Sequence, residues 1–308
     1  MSRPLVIGSR GSKLALWQAE HARERLLSLN TEIDIRIDVI KTTGDVKKDP
    51  LSVIGGKGVF TKELEDALLD GRIDIAVHSL KDLPTILPDN LSISAICKRE
   101  DPRDALVLAA GSEFDATALG NLPRGAIVGT SSQRRLAQLR CWFGNNLEIK
   151  DLRGNVDTRI RKLDEGQYDA LILASAGLVR LGLQDRISLR IPISHMLPAV
   201  GQGAIAIETR SDDDFARETT SKLDHRETRL ACLAERAFLR GLGGGCQLPI
   251  AGHARLEGEL LKLDGLVAKP DGSKRVQDSL SGAPDTAEDI GASLAATLIT
   301  RGATTLME

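Results

Sequence analysis

The chain has 308 residues, of which 42% are hydrophobic, 27% charged and 3% aromatic, and its formal net charge is −2. This composition is close to the globular average, which excludes wholesale disorder and fibrous structure, and the length suits two or three domains. A nearly neutral chain with so few aromatic side chains argues against nucleic-acid binding. No apolar run approaches the roughly 20 residues of a membrane helix. No signal-peptide pattern precedes the first strand either, so we expect a soluble, cytoplasmic protein.

The cysteines and histidines predict no metal site. The four cysteines and five histidines are scattered along the chain, without the spacing of a zinc site or a disulfide framework. Positive charge, by contrast, is concentrated, since residues 121–190 hold 12 Lys and Arg against 7 Asp and Glu. A basic middle in a nearly neutral protein predicts a local anion site.

The first hundred residues predict an α/β domain. Apolar periodicity predicts strands at 5–7, 33–39 and 73–77 and helices at 13–29 and 60–68. Strand, helix and strand in this order predict parallel βαβ units, whose functional groups gather at the carboxyl ends of the strands. The polar, Gly-rich stretch 42–58 is long for a compact connection and predicts a mobile lid.

The pattern then restarts over residues 104–197. It predicts strands at 105–109, 126–128, 147–151 and 170–174 and helices at 132–142 and 156–164. The chain next turns into a strand at 204–208. A helix from Thr228 to Gly241, short strand-like segments and a helix near 286–301 complete the pattern, which predicts a small α+β third domain.

Asp82 is the first candidate for chemistry. It lies in Ser79-Leu80-Lys81-Asp82, directly after a buried strand, where a carboxylate can transfer a proton or stabilise a cation. The alternative is an ordinary turn Asp that caps backbone donors before Pro84.

Two strand-to-helix junctions predict anion binding. In Gly129–Arg135, small hydroxyl residues open a helix that carries two arginines in its first turn. Free N–H groups and forked guanidinium donors suit a carboxylate or phosphate, and a bound anion would offset the unfavourable position of the arginines on the helix dipole. The alternative is a plain Ser cap with solvated arginines. Asp151–Arg159 repeats this arrangement, and Arg10-Gly11-Ser12 and Arg180 add further basic or polar groups. No nucleotide-binding motif is present, so several such sites together indicate a ligand with many carboxylates.

Cys246 follows Gly243-Gly244-Gly245. Glycines let the backbone turn and leave the thiol accessible, so this cysteine is either incidental or reactive.

Taken together, the motifs resemble those of the hydroxymethylbilane synthase (porphobilinogen deaminase) family. They occur in family order along nearly the whole chain, as Ser9–Ala19, Gly55–Gly58, Asp74–Pro84, Arg99–Asp104, Gly129–Arg135, Leu152–Asn155, Leu197–Gly203 and Gly244–Cys246. The resemblance implies two periplasmic-binding-protein-like α/β domains with a chain crossover, plus a small α+β C-terminal domain. Domain 1 would comprise residues 1–99 and 200–220, domain 2 residues 104–197 and domain 3 residues 224–308.

The resemblance also implies the reaction. Cys246 would hold a dipyrromethane cofactor, made from substrate, through a thioether. Four porphobilinogen molecules would be added head to tail with loss of ammonia, and hydrolysis would release 1-hydroxymethylbilane for uroporphyrinogen III synthase. Asp82 would be catalytic, and the protein would act as a monomer without metal. Implied cofactor contacts are Asp82, Lys81, Ser131, Arg134, Arg135, Arg153 and Gly154; implied substrate contacts are Arg10, Ser12, Arg153, Arg159, Arg180 and Gln202; implied lid residues are Lys57 and Phe60.

Two alternatives from other classes stay open at this stage. A non-catalytic two-lobed receptor for a small anion would share the fold, since fold alone does not establish function. A cysteine acyltransferase would need a base near Cys246, and no histidine lies close to it in sequence.

Overall fold

The computed structural model describes residues 4–29, 32–42, 60–115, 117–245 and 248–307. The chain divides into two compact units, the first comprising Met1–Glu100 with Ala204–Leu230 and the second Asp101–Gly203 with Ala231–Glu308. Among the described residues, no helix has the length and apolar character needed to cross a membrane. Residues 43–58 of the predicted lid, including Lys57, lie outside the described residues, as does Cys246.

The elements of the first part of the chain are β1 (Leu5–Arg10), α1 (Lys13–Leu29), β2 (Ile35–Ile40), α2 (Lys62–Leu69), β3 (Ile75–Ser79) and β4 (Leu91–Ile96). Those of the middle are β5 (Asp104–Leu108), β6 (Ile127–Gly129), α3 (Gln133–Phe143), β7 (Glu148–Lys150), α4 (Val156–Asp164), β8 (Ala170–Ala174), α5 (Ser175–Arg180) and β9 (Leu189–Arg190). The remainder are β10 (Ile205–Arg210), α6 (Asp214–Ser221), α7 (Arg226–Gly241), β11 (Ile250–Glu257), β12 (Leu260–Ala268), β13 (Arg275–Gly282) and α8 (Ala287–Thr300).

The sheet of the first unit has the order β2-β1-β3-β10-β4. β1 runs parallel to β2 and β3, which confirms the predicted βαβ arrangement, but β10 is antiparallel to both β3 and β4. The sheet is therefore mixed, because the chain enters it a second time from the opposite direction. Side chains alternate along β1, so that Leu5 and Ile7 join the core under α1 while Val6 packs with Leu64 and Leu68 of α2 on the other face.

The second unit contains a similar sheet of order β7-β6-β8-β5-β9. β6 is parallel to β7 and β8, whereas β5 is antiparallel to β8 and β9. β5 is buried along its whole length, with Leu106 and Leu108 in the core on one face and Ala105 and Val107 in that on the other. A strand buried on both faces has an almost continuous apolar sequence. In β5 the one charged residue is Asp104, at its first position, and it is buried as well.

The C-terminal part of the second unit is an antiparallel sheet, β11-β12-β13, covered by α7 and α8. The fold class predicted from the sequence, two α/β domains with a chain crossover and a small α+β C-terminal domain, is confirmed. The elements β4, α5 and α6 were not predicted, because each is short and two of them begin at polar residues. The proposed boundaries of three separate domains stay a prediction.

The two C-terminal helices approach each other closely at Gly291. A Cβ atom there would lie 2.2 Å from the Ala234 carbonyl oxygen and 2.8 Å from the Phe238 amide nitrogen, both on α7. Backbone atoms cannot move aside as the end of a flexible side chain can, so only glycine fits this contact.

Gly291→Ala is therefore expected to lower the free energy of unfolding by about 1–3 kcal/mol, despite alanine's better helix propensity. Urea unfolding followed by circular dichroism measures this change. The matched control is Gly120→Ala, because no atom lies within 4 Å of the Cβ that would be added there. Equal stability of the two variants would contradict the packing argument.

Candidate active site

Asp82 lies in a single 3₁₀ turn, Leu80–Asp82, that follows β3 without an intervening loop. The turn is fixed at its start, where the Leu80 amide donates to the Ala204 carbonyl over 3.0 Å and the Leu80 side chain is buried. Asp82 itself is exposed, and within the described part of the chain no cation forms an ion pair with it. The structure thus gives Asp82 a rigid base and an exposed carboxylate, and its catalytic role stays a prediction.

Arg10 and Phe60 are neighbours in the first unit. The guanidinium carbon of Arg10, at the end of β1, lies 4.2 Å from the centroid of the Phe60 ring, within the range of a cation–π contact. Ser12 begins α1, and its hydroxyl accepts a hydrogen bond of 3.2 Å from the Ala15 amide. Phe60, the described end of the predicted lid segment, therefore packs against a predicted substrate residue.

The centre of the second unit is a buried charge cluster around Asp104. One oxygen, Oδ2, accepts from Arg134 Nη1 over 2.7 Å, and Oδ1 accepts from Arg135 Nη2 over 2.7 Å and from Gln202 Nε2 over 2.9 Å. Asp104 is fully buried, and the two arginines are 4% and 6% exposed. Main-chain carbonyls complete the shell, since Arg134 also donates to Leu197 and Arg135 to Ile172.

This cluster corrects the sequence argument about Arg134 and Arg135. Arginines in the first turn of a helix are stabilised by a nearby anion. In the structure that anion is the carboxylate of Asp104. The alternative of solvated arginines is wrong, because both guanidiniums are buried. The plain serine cap does exist, since Ser132 Oγ accepts from the Arg135 amide.

Burial by itself raises the pKa of Asp104, but the charges and hydrogen bonds of Arg134 and Arg135 outweigh it and hold that pKa well below the ordinary value. The carboxylate is thus ionised at neutral pH. For the Arg134 guanidinium, burial lowers the pKa, and the attraction of Asp104 opposes that effect.

The second predicted anion junction is more open. Ser131 Oγ donates to the Leu152 carbonyl over 2.7 Å, which ties the two junctions together. Arg153 is half-buried beside Asp151, 2.8 Å from its carboxylate. Gly154 has a φ of 112°, a conformation that favours glycine, and its carbonyl accepts from Arg159 Nε over 2.7 Å.

Gln202 lies in the turn 197–203, and Arg180, the last residue of α5, contacts the end of that turn. Arg180 is 8% exposed and donates to the Gly203 carbonyl over 2.6 Å, and Gln202 donates to Pro102 as well as to Asp104. On the same turn, the Gly201 amide donates to the fully buried Glu235 over 2.6 Å. These polar contacts fix the shape of residues 197–203.

Two family models match the chain. The model described as porphobilinogen deaminase, dipyromethane cofactor binding domain, covers residues 5–218, and that described as porphobilinogen deaminase, C-terminal domain, covers residues 229–300. The chain belongs to the porphobilinogen deaminase family. The resemblance seen in the motifs is thereby confirmed, and the receptor and acyltransferase alternatives lose their support.

Relatives within the porphobilinogen deaminase family align over almost the full length. The porphobilinogen deaminase of Pelotomaculum thermopropionicum is 51% identical over 304 residues, which are 98% of this chain and 96% of the relative. That of Nitrosomonas europaea is 52% identical over 306 residues, which are 98% of this chain and 97% of the relative. Among solved structures, an ancestral arginine-binding protein bound to arginine is similar with a TM-score of 0.40 and 14% identity, over 72% of this chain and 91% of that one; a likeness this low carries no argument about function.

Sequence reasoning gave no separate role to Asp104 or Glu235. Each lies in an apolar segment, Asp104 at the head of a buried strand and Glu235 on the buried side of α7. Asp104 directly precedes the apolar run 105–110, and Glu235 directly follows the apolar stretch 230–234. An acidic residue that borders a buried apolar run is the signal that could have identified them, since such a residue needs a buried partner.

Asp104→Asn is expected to lower the free energy of unfolding by about 3–5 kcal/mol, because it leaves two buried guanidiniums without a counter-charge. Urea unfolding at pH 7 measures the loss. Asp151→Asn is the control, since Asp151 forms a solvent-exposed pair with Arg153 and its loss should cost less than about 1 kcal/mol.

The pH dependence gives an independent check. Because the folded-state pKa of Asp104 is depressed, its contribution to stability is complete above the unfolded pKa of about 3.9 and is lost as the pH falls towards the folded value. Asp104→Asn should therefore flatten the fall of stability below about pH 4; an unchanged acid slope would contradict the assignment.

Proposed function

We propose that this protein condenses four porphobilinogen molecules head to tail, with loss of ammonia at each addition, onto a covalently held dipyrromethane, and releases 1-hydroxymethylbilane by hydrolysis. The observation that carries this proposal is the match of both family models, which together cover residues 5–218 and 229–300. The charges of the described residues suit it, since each pyrrole carries an acetate and a propionate and the growing product is a polyanion.

The donor groups of the second unit fit a dipyrromethane. Among the described residues, Arg134 Nε is a buried donor without a hydrogen-bond partner, and Arg153 and Arg159 are only partly buried. Guanidinium groups bind carboxylates in a forked geometry, so we assign the cofactor carboxylates to Arg134, Arg135, Arg153, Ser131 and Lys81. Bound through Cys246, the cofactor supplies the free pyrrole position that begins the chain.

Asp82 is the proposed catalytic residue. As ammonia leaves the aminomethyl group of porphobilinogen, positive charge develops on the pyrrole, and a fixed carboxylate beside the ring nitrogen stabilises it. The same oxygen accepts a proton when the aromatic ring is restored. The exposed position of Asp82 on an anchored turn supports this role.

Substrate carboxylates are assigned to Arg10, Ser12, Arg153, Arg159, Arg180 and Gln202. The extent of burial ranks them: Arg180 and Gln202 are almost fully buried, whereas Arg10 and Arg159 are partly exposed. Direct substrate contact is thus better supported for Arg10 and Arg159, and shaping of the 197–203 turn for Arg180 and Gln202. Phe60, and Lys57 outside the described residues, are assigned to the lid.

We also propose a cytoplasmic monomer that passes its product to uroporphyrinogen III synthase. Cys141 is a free thiol, which suits a reducing compartment. Residues 1–99 with 200–220, 104–197 and 224–308 are proposed as its three domains.

Intact-protein mass spectrometry tests the covalent group. The purified protein should exceed its sequence mass by two pyrrole units, and Cys246→Ser should abolish both the excess and activity, because a hydroxyl is a far weaker nucleophile than a thiolate. Cys141→Ser is the control and should keep both. An active protein of unmodified mass would overturn the proposal.

Asp82→Asn should lower kcat by about 10²–10⁴-fold, since the amide neither carries charge nor accepts the proton. Product formation from porphobilinogen measures this loss. Asp89→Asn, an exposed aspartate before β4, is the control and should behave as the unaltered protein. Comparable activity of both variants would exclude Asp82 as the catalytic group.

A further inference from the structure

A second buried polar cluster lies in the first unit, on the face of the sheet that α2 covers. It consists of Glu65 from α2, His78 from β3 and Glu208 from β10, which are 7%, 5% and 0% exposed. His78 Nε2 donates to Glu208 Oε2 over 3.0 Å. None of these three side chains has a role in the reaction as described so far.

The sheet register explains why they meet. In the antiparallel pair of β3 and β10, Ala206 lies opposite His78 and Glu208 opposite Ala76. Alternation along a strand puts Ala76, His78 and Glu208 on one face, and Ala76 packs there against Leu64 and Leu68 of α2. Glu65 of α2 is also buried, and it interacts electrostatically with both His78 and Glu208.

The pocket makes the hydrogen bond between His78 and Glu208 costly to lose. Burial raises the pKa of Glu65, a hydrogen bond with Thr61 lowers it, and the nearby charges of Glu208 and His78 respectively raise and lower it. A buried polar side chain that loses its hydrogen-bond partner is costly, and His78 is the partner that Glu208 Oε2 contacts. Further charged groups on this face are Arg36 and Asp38 of β2, Arg10 at the end of β1 and Arg210 on β10. Arg210 is held by Asp74 and by the Leu68 and Ile73 carbonyls.

The cluster is directly connected to the turn of Asp82. Three consecutive residues are anchored from three elements: His78 by Glu208, Ser79 by Gln18 of α1, whose Nε2 donates over 2.8 Å, and Leu80 by the Ala204 carbonyl. Asp82 follows two residues later. Of these anchors, the bond between His78 and Glu208 is the one made between two buried ionisable side chains.

We propose that His78 and Glu208 are positioning residues for Asp82: their buried hydrogen bond fixes the end of β3, and Glu65 closes the pocket around it from α2. This rests on the catalytic role of Asp82 in the proposed function. The physical reason is that a reacting group displaced by about 1 Å can lose about 10²-fold in rate, so the strand that carries Asp82 must not slide or twist at its end.

The test compares Glu208→Leu and His78→Phe with Asp74→Asn, because leucine and phenylalanine keep roughly the volume of the side chains they replace but cannot form the hydrogen bond. Asp74 is a matched control, because it is a buried carboxylate at the opposite end of the same strand, where it accepts from the Val6 amide and from Arg210. We expect each test variant to lower kcat by about 10–100-fold with KM changed less than about twofold, because only the placement of Asp82 is lost. Asp74→Asn should unfold at lower urea but keep kcat.

The double variant adds a second readout. If the two side chains act through one hydrogen bond, Glu208→Leu with His78→Phe should lose no more in kcat than the more impaired single variant. Additive losses would show two independent effects and would overturn the proposal. A fall of kcat in all variants, Asp74→Asn included, in proportion to their lost stability would also overturn the proposal.

Folding and the role of Asp82 are controlled separately. Either single variant is sufficient for the decision if it folds, as judged by circular dichroism; if both fail to fold while Asp74→Asn folds, the pair is structural and the proposal is wrong. Asp82→Asn is assayed in parallel. An active Asp82→Asn would contradict the proposed function itself, whereas an inactive Asp82→Asn beside fully active Glu208→Leu and His78→Phe would overturn the positioning role alone.

Discussion

Arginine is costly to bury, and the second unit buries two arginines at adjacent positions of one helix. Each guanidinium loses its hydration and repels the other, so neither Arg134 nor Arg135 could occupy the interior without a nearby negative charge. Asp104 supplies it, with one carboxylate oxygen for each arginine. Because Asp104 opens β5 and the arginines open α3, the same interaction fixes the start of a helix against the start of a strand.

The turn at 197–203 depends on this cluster. Its Leu197 carbonyl accepts from Arg134 and from Gln138, and its Gln202 side chain donates to Asp104. The turn is the point from which the chain leaves the second sheet and re-enters the first as β10.

The position of Asp82 in the first unit depends on β10. Glu208 on that strand accepts from His78, and the Ala204 carbonyl just before it accepts from the Leu80 amide. Asp82 thus owes its position to a strand that arrives more than 120 residues later in the chain. The two units contribute different functional groups. The first has an exposed carboxylate on a rigid turn, and the second has guanidinium groups that range from buried to partly exposed.

The sequence by itself determined the elements that local periodicity encodes, and the predicted helix 156–164 and strand 170–174 have the observed bounds. It also determined the family, because ordered motifs are a property of the chain alone, and the place of Asp82 after a buried strand. It did not reveal that β10 and β5 each run antiparallel to their neighbours in their own sheets, or that Arg134 and Arg135 are buried. Nor did it reveal that Asp104 is the partner of these two arginines and Glu208 the partner of His78. These facts belong to the tertiary structure, since an electrostatic partner is chosen by distance in space: Asp104 lies 30 residues from Arg134, and Glu208 lies 130 residues from His78. Periodicity shows which face of an element is apolar, but only the completed sheet register decides which charges meet on it.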